Sequence, residues 1–283
     1  MTHDALISQV PNLPVPRPAV ARLLNLLTDP DTDNDTIVGI LKPDAVLSAK
    51  VLALCNSASF GLPAPVSSLE QAMMYLGHSQ IHRLVMAISF GGALAPSLPG
   101  YAIEAGGLWQ HSLLTALISE SVLRLVKTEE GDTSVAYTAG LIHDLGKLVI
   151  SHALDQERQE AVHALIRGGN CSLIEAEREI IGADHAEIGA HLLGNWNLPE
   201  VLLEAVANHH QPAKSRHELL ASVVHLADVI AHQVGSSPGF ESFAVRAEES
   251  AVKRLGLTAE HMDGLMISAY DSVFEVQETL AAI

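Results

Sequence analysis

Apolar residues recur at spacings of three and four along nearly the whole chain, and the strict alternation of apolar and polar residues that indicates strands is hard to find. Aromatic residues, which strands favour, make up only 4% of the chain. The pattern therefore predicts an all-α protein.

Proline, glycine and capping residues divide residues 13–90 into a bundle of short helices. Pro43 stands where a first helical turn tolerates proline, and the helix that it opens runs to Cys55. Ser68 begins another helix with a capping-box pattern, and Gly77 ends it. After this glycine, Ser79 can cap a further helix that runs to about Phe90.

A segment rich in proline and glycine, residues 91–107, separates this bundle from a second one. In the second bundle we expect helices at 108–127, 134–152, 172–194 (broken near Gly182), 199–209 and 217–234, and two terminal helices after a loop at 235–238. The chain is thus predicted to have two helical subdomains, over 11–98 and 105–235, with C-terminal helices over 240–283 that pack on the second.

The net charge of the chain limits the kinds of molecule that it can bind. The chain has 16 Lys and Arg against 33 Asp and Glu, a formal net charge of −17 at pH 7, and its basic residues form no patch. Phosphate backbones and anionic lipids would be repelled on average. We therefore expect neither nucleic acid nor a membrane as a partner.

Three further observations favour the cytoplasm. The only cysteines, Cys55 and Cys171, are too few for a disulfide framework or a cysteine-based zinc site. The N-terminus lacks the basic flank and apolar run of a secretory signal. The uncharged stretch Leu84 to Ile103 is interrupted by glycines and prolines, so it predicts a helix ending in a linker instead of a membrane span.

Two charged residues are stranded in an apolar helix. Between Asp132 and Asp155 only Asp144 and Lys147 are charged. A buried carboxylate needs a cation, which a metal ion or Lys147 three residues on could supply. His143 beside Asp144 favours the metal, because adjacent side chains on a helix can approach one site from neighbouring directions. A plain Asp144–Lys147 pair with a core histidine remains the alternative.

Two other helices carry similar signals. Asp228 is the only Asp, Glu, Lys or Arg in 219–234 and has no charged partner on its own helix, so its partner must come from elsewhere in the fold. His209 and His210 end another helix, where they suit either a two-ion site or simple contact with the helix dipole. His111 and His185 are single histidines. Histidine and aspartate without cysteine indicate divalent iron, manganese or zinc.

The order of these residues resembles a known group of enzymes. His111, His143-Asp144 with Lys147, His185, His209-His210 and Asp228 are similar to the HD phosphohydrolase superfamily, and the longer set to its HD-GYP branch. The whole chain, over about 11–235, more closely resembles the HDOD family of bacterial signalling domains. That likeness rests on Leu13-Pro14, Leu54-Cys55-Asn56-Ser57-Ala58, Phe60-Gly61, Ser68-Leu69-Glu70-Gln71-Ala72, Leu76-Gly77, Trp196-Asn197-Leu198-Pro199, His209-His210-Gln211-Pro212 and His225-Leu226-Ala227-Asp228.

The resemblance implies an HD-type helical core over the second subdomain and a role in bacterial signal transduction with a signalling protein partner. For HDOD proteins no catalytic activity is established in general, and many have lost the metal ligands. This chain keeps positions that match the HD-GYP metal ligands: His111, His143, Asp144, His185, His209, His210 and Asp228. Lys147 matches the lysine that contacts substrate phosphate. The GYP signature is missing after His210, and Gly107 replaces an acidic ligand, so cyclic di-GMP hydrolysis and a third metal are not expected.

Three hypotheses follow. The first is a regulatory signalling protein with a di-metal site. The second is a metal-dependent phosphohydrolase or phosphodiesterase acting on a nucleotide or cyclic nucleotide, with Asp144 and Lys147 as its catalytic residues. The third is a scaffold whose N-terminal bundle binds partner proteins, for which exposed apolar residues around 62–66 would be the indicator.

Overall fold

The computed structural model describes residues 2–8, 10, 16–26, 32–57, 60–126, 128, 131–167, 171–236, 239 and 246–282. Over these ranges the regular structure is helical, apart from one isolated bridge between Leu98 and Ile103. The all-α prediction is confirmed. None of the helices described is both long and apolar enough to cross a bilayer.

The N-terminal part of the chain folds into α1 (His3–Ile7), α2 (Pro18–Leu26), α3 (Asn34–Leu41), α4 (Ala45–Cys55) and α5 (Leu69–Leu94). Asp44 caps α4 and Ser68 caps α5, each accepting a hydrogen bond from the backbone N–H three residues on. Gly77 breaks α5 as predicted, with φ 75° and ψ 173°. The segment after it runs to Leu94, beyond the predicted end near Phe90.

The rest of the chain folds into α6 (Gly107–Leu125), α7 (Thr133–Ile142), α8 (Leu145–Ala153), α9 (Gln156–Arg167), α10 (Leu173–Ile181), α11 (His185–Asn195), α12 (Glu200–Asn208), α13 (Glu218–Gln233), α14 (Glu249–Leu255) and α15 (Ala259–Ala282). The break near Gly182 and the two terminal helices are as predicted. The helix α9 was not predicted: its first five residues are all polar, and Val162 is its one fully buried residue.

The single helix predicted over 134–152 is wrong. His143 and Asp144 form a turn between α7 and α8, because α7 packs against α6 whereas α8 packs against α11. Two glycines permit this change of direction. A Cβ on Gly140 would lie 2.8 Å from a backbone oxygen of α6, and a Cβ on Gly146 would lie 1.8 Å from the carbonyl oxygen of His185 in α11. The turn therefore places His143 and Asp144 between two close helix contacts.

One hydrophobic cluster extends from Leu6 to Ala269. Within it α6 contacts α5, α7, α13 and α15, while α1 packs against α8 and α11. Helices on both sides of each predicted boundary share this core, and the division into 11–98, 105–235 and 240–283 stays a prediction.

Candidate metal centre

The predicted site residues converge on one buried centre. They come from α6, the turn between α7 and α8, α8 itself, the first residue of α11, the end of α12, and α13. All are buried except His210, which is partly buried. The residues brought together are His111, His143, Asp144, Lys147, His185, His209, His210 and Asp228.

Asp144 lies between two groups of imidazoles. Its Oδ1 is 3.4 Å from His185 Nε2 and 4.0 Å from His209 Nε2. Its Oδ2 accepts a hydrogen bond from Lys147 Nζ at 2.8 Å and lies 3.4 Å from His143 Nε2. The Asp144–Lys147 pair therefore exists, but it occupies only one carboxylate oxygen and leaves the other facing histidines.

Asp228 has a partner on its own helix, so the prediction that its partners come only from elsewhere is wrong. His232, one helical turn on, places Nε2 3.3 Å from Asp228 Oδ1. The same oxygen lies 3.0 Å from His111 Nε2 and 3.7 Å from His143 Nε2. His232 was not among the predicted ligands, although its i, i+4 spacing from Asp228 is typical of interacting side chains on a helix.

Three imidazoles are oriented by the backbone. In each, Nδ1 lies 2.7 to 2.8 Å from a carbonyl oxygen: His111 from Ser236 O, His143 from Gly140 O and His209 from Val206 O. A carbonyl oxygen can only accept, so each Nδ1 carries a proton. In the neutral ring the Nε2 lone pair then faces the centre.

Five buried atoms of the centre have no hydrogen-bond partner among the described residues: Nε2 of His111, His143 and His209, and Oδ1 of Asp144 and Asp228. Lone pairs that face carboxylate oxygens repel one another unless protons or a cation lie between them. Imidazole nitrogens and carboxylate oxygens are the donors that iron, manganese and zinc accept. The residues present therefore fit divalent cations.

Electrostatics favour the ionised carboxylates. Burial alone would raise the pKa of Asp144, but His143 and Lys147 outweigh it and hold that pKa well below its ordinary value. The pKa of Asp228 is likewise well below its ordinary value, because His232 and His111 outweigh burial. Both carboxylates are thus in the state that metal binding requires.

The histidines of the centre differ in the direction in which their pKa is shifted. Burial, reinforced by neighbouring histidines, lowers the pKa of His209 to about 3 and that of His210 well below its ordinary value, so both are neutral ligands at pH 7. Burial also opposes protonation of His143, but the Asp144 carboxylate outweighs it and raises the pKa of His143 to about 10. Cation binding would therefore displace a proton from His143.

His185 is held by side chains that sequence analysis missed. Its Nδ1 and its backbone N–H both donate to Glu177 Oε2, at 2.8 and 2.9 Å, and Tyr101 OH donates to Glu177 Oε1 at 2.6 Å. Glu177 is fully buried. A carboxylate that fixes the outer nitrogen of a ligating histidine is a common device of metal sites. The sequence around Glu177 does not mark it as a buried residue, because the stretch is rich in charged residues and resembles a solvent-exposed helix face.

His225 serves a different purpose. Its Nδ1 donates to His209 O at 2.8 Å, and its Nε2 accepts from the backbone N–H of Glu248 at 2.9 Å. Both ring nitrogens of His225 thus form hydrogen bonds with backbone groups. Through the bond to His209 O, His225 on α13 supports the end of α12.

Within the described part of the chain, four overlapping sets of possible ligands have ligand atoms within 4.8 Å of one another. They are His185, His209 and His210; His111, Asp228 and His232; His111, His143 and Asp144; and His143, His209 and Asp228. The first two sets share no member, and they approach different oxygens of Asp144, Oδ1 from His185 and Oδ2 from His111. Buried His and Asp clusters of this kind could bind metal.

Known proteins resemble the chain over its whole length. It is 26% identical to an uncharacterized protein of Treponema pallidum (strain Nichols), over 96% of this chain but only 51% of that protein, so it spans about half the length of this curated relative. A structure from Marinobacter aquaeolei VT8 that carries the name of a signal transduction protein has TM-score 0.78 and 21% identity, over 99% of this chain and 61% of that one.

A structure from Shewanella amazonensis SB2B that carries the name of a phosphohydrolase has TM-score 0.71 and 25% identity, over 98% of this chain and 97% of that one. The HDOD domain family matches residues 13–212, which is most of the chain and includes the turn with His143 and Asp144. The chain therefore belongs to the HDOD domain family.

Proposed function

We propose that this chain is a regulatory module of bacterial signal transduction that acts through a partner protein and holds two divalent cations of iron, manganese or zinc. The main support for the cations is that five buried ring nitrogens and carboxylate oxygens face the centre without hydrogen-bond partners among the described residues. Membership of the HDOD family supports the regulatory role. The proposed ligands are His111, His143, Asp144, His185, His209, His210 and Asp228.

Two ions suit the centre better than one. The set around His185 and the set around His111 have no member in common, and each faces a different oxygen of Asp144. Asp144 would thus be shared between the ions, since the two oxygens of one carboxylate can bind two cations.

Metal analysis of protein purified without chelators tests this proposal. We expect about two ions per chain, with loss of both in the Asp144→Asn variant and no loss in Asp184→Asn, whose aspartate caps α11 outside the centre. A content below about half an ion per chain, unaffected by Asp144→Asn, would contradict the proposed centre.

A metal-dependent phosphohydrolase or phosphodiesterase is the second candidate. The observation in its favour is Lys147, a buried ammonium 2.8 Å from Asp144 Oδ2, which could also bind a phosphate of a nucleotide or cyclic nucleotide. The similarity to the Shewanella amazonensis protein agrees with this. Divalent ions bound at the centre would supply Lewis acidity beside a phosphate ester.

A screen of nucleotides and cyclic nucleotides with Mn²⁺ or Fe²⁺ supplied separates the two candidates. Hydrolysis that is lost in Asp144→Asn and strongly reduced in Lys147→Met would favour the enzyme. Turnover at background level for every compound, from protein that contains its ions, would favour the regulatory module.

The indicator of the scaffold hypothesis is present only in part. Pro63, Ala64 and Pro65 are exposed, whereas Leu62 is partly buried and Val66 is buried. The large exposed apolar side chains of this region are Val46, Met74 and Tyr75.

A further inference from the structure

His232 reaches the metal centre from the last turn of α13. Its side chain is only 3% exposed, and its Nε2 lies 3.3 Å from Asp228 Oδ1. Its ring centroid is 4.7 Å from that of His111, and the donor atoms of His232, His111 and Asp228 all lie within 4.8 Å of one another. The ring is therefore part of the centre and not of its surroundings.

The simplest alternative is an i, i+4 ion pair between Asp228 and His232. Such a pair does not account for the crowding at Asp228 Oδ1, which faces Nε2 of His111 at 3.0 Å and of His143 at 3.7 Å as well. Both of those rings carry a proton on Nδ1, because Nδ1 faces a carbonyl oxygen. A single carboxylate oxygen surrounded by three imidazole nitrogens suits a shared cation better than three separate pairs.

Another histidine on the same helix shows the contrast. His225 also is buried on α13, but hydrogen bonds to backbone groups satisfy both of its nitrogens. Neither nitrogen of His225 is left to bind a metal ion. His232 instead brings its Nε2 within 3.3 Å of Asp228 Oδ1, the oxygen that His111 and His143 also approach.

We propose that His232 is an additional ligand, through Nε2, of the cation held by His111, His143, Asp144 and Asp228. This inference rests on the proposed metal centre and adds a residue to it. The ion on the α13 side then has three imidazole and two carboxylate ligands, a set that favours iron or zinc over manganese.

The extra ligand bears on function. Catalytic ions keep a coordination position open for water or substrate, whereas structural ions have theirs filled by the protein. His232 fills one such position on the α13 side. That ion then has more protein ligands than the ion held by His185, His209, His210 and Asp144, so water or a substrate would bind more readily to the second ion.

The test compares His232→Gln with Gln233→Ala, a control at the neighbouring, exposed position of the same helix. Zn²⁺ affinity is measured by competition with a chromophoric chelator, and circular dichroism and thermal unfolding check the fold. We expect His232→Gln to weaken one of the two ions by at least about tenfold and to leave the other unchanged, whereas Gln233→Ala binds both as the wild type does.

The outcomes separate this inference from the proposed function. A folded His232→Gln that binds both ions with wild-type affinity overturns the inference and leaves the metal centre standing. A wild-type protein that binds no Zn²⁺ overturns both. Equal weakening in the two variants also counts against the inference, because it would show a general effect of altering α13.

A second measurement needs no variant. Protein labelled with ¹⁵N-histidine and loaded with ¹¹³Cd²⁺ shows a one-bond nitrogen–cadmium coupling for every ligating ring. We expect coupling for His232 in addition to the five histidines predicted from the sequence. Coupling confined to those five overturns the inference even if His232→Gln fails to fold.

Discussion

Replacing Glu177 by glutamine tests whether the residues around the ligands matter as much as the ligands. Glu177 accepts three hydrogen bonds, from the backbone N–H and Nδ1 of His185 and from Tyr101 OH. Glutamine keeps the shape: its oxygen can still accept from His185, and its amide can donate to Tyr101 OH once that hydroxyl rotates. The substitution therefore removes the negative charge and little else.

The expected effect follows from that loss of charge. Burial lowers the pKa of His185, but the Glu177 carboxylate outweighs it and raises that pKa above its ordinary value. The same carboxylate makes the ring a stronger donor to a cation, and losing such an outer partner weakens metal affinity about 10-fold to 100-fold. We expect about tenfold for Glu177→Gln, which is about 1.4 kcal/mol, and nearer 100-fold for Glu177→Ala.

Zn²⁺ competition titrations measure this effect, with Glu175→Gln as the control. Glu175 lies on the same helix in an exposed capping box with Ser172, so its loss weakens α10 without touching His185. We expect only the ion near His185 to be weakened in Glu177→Gln. Affinity within twofold of wild type, or equal losses in Glu177→Gln and Glu175→Gln, would refute the reasoning.

Three further predictions follow. Gly146→Ala should destabilise the protein by about 3 kcal/mol, because its Cβ would meet His185 O at 1.8 Å, whereas Gly92→Ala, with nothing within 4 Å, should be neutral or stabilising in thermal unfolding. Burial lowers the pKa of His82 to about 3. As the pH falls below the ordinary value of 6.5, His82 is therefore protonated in the unfolded chain but not in the folded one. The free energy of unfolding should then fall by up to about 1.4 kcal/mol per pH unit. Urea unfolding of His82→Gln from pH 7 to 5 should show a correspondingly shallower loss. Lys147→Met should lower the stability of chelator-treated protein by about 2 kcal/mol, because Asp144 loses its hydrogen-bonded ammonium and keeps His143 as its cationic neighbour, and an unchanged urea midpoint would contradict this.

Local signals in the sequence predicted much of the fold and of the centre. Charged residues stranded in apolar helices marked Asp144 and Asp228, since burial without a partner is unfavourable. The turn at His143 and Asp144 was not predictable in this way. No proline or glycine occupies it, and it exists because α7 and α8 pack against different helices.

The functional residues that were not predicted from the sequence are those whose role depends on residues distant in sequence. Glu177 looks like any acidic residue of an exposed helix until Tyr101 and His185 are seen to enclose it. His232 looks like one more polar residue near a helix end. Neither position departs from the ordinary periodicity of its helix. The i, i+4 spacing of His232 from Asp228 points to the centre only once tertiary structure brings His111 to the same carboxylate oxygen.

The way in which the rings are oriented gives the two sides of the centre different tolerance to mutation. His111, His143 and His209 are held by main-chain carbonyls, which every amino acid possesses, so substitution at Ser236 or Val206 leaves an acceptor in place. Of these four rings, His185 is the one held by a side chain, that of Glu177. A single substitution at Glu177 would therefore release the ring of His185, whereas the three rings held by carbonyls keep their orientation whatever side chain stands at the accepting position.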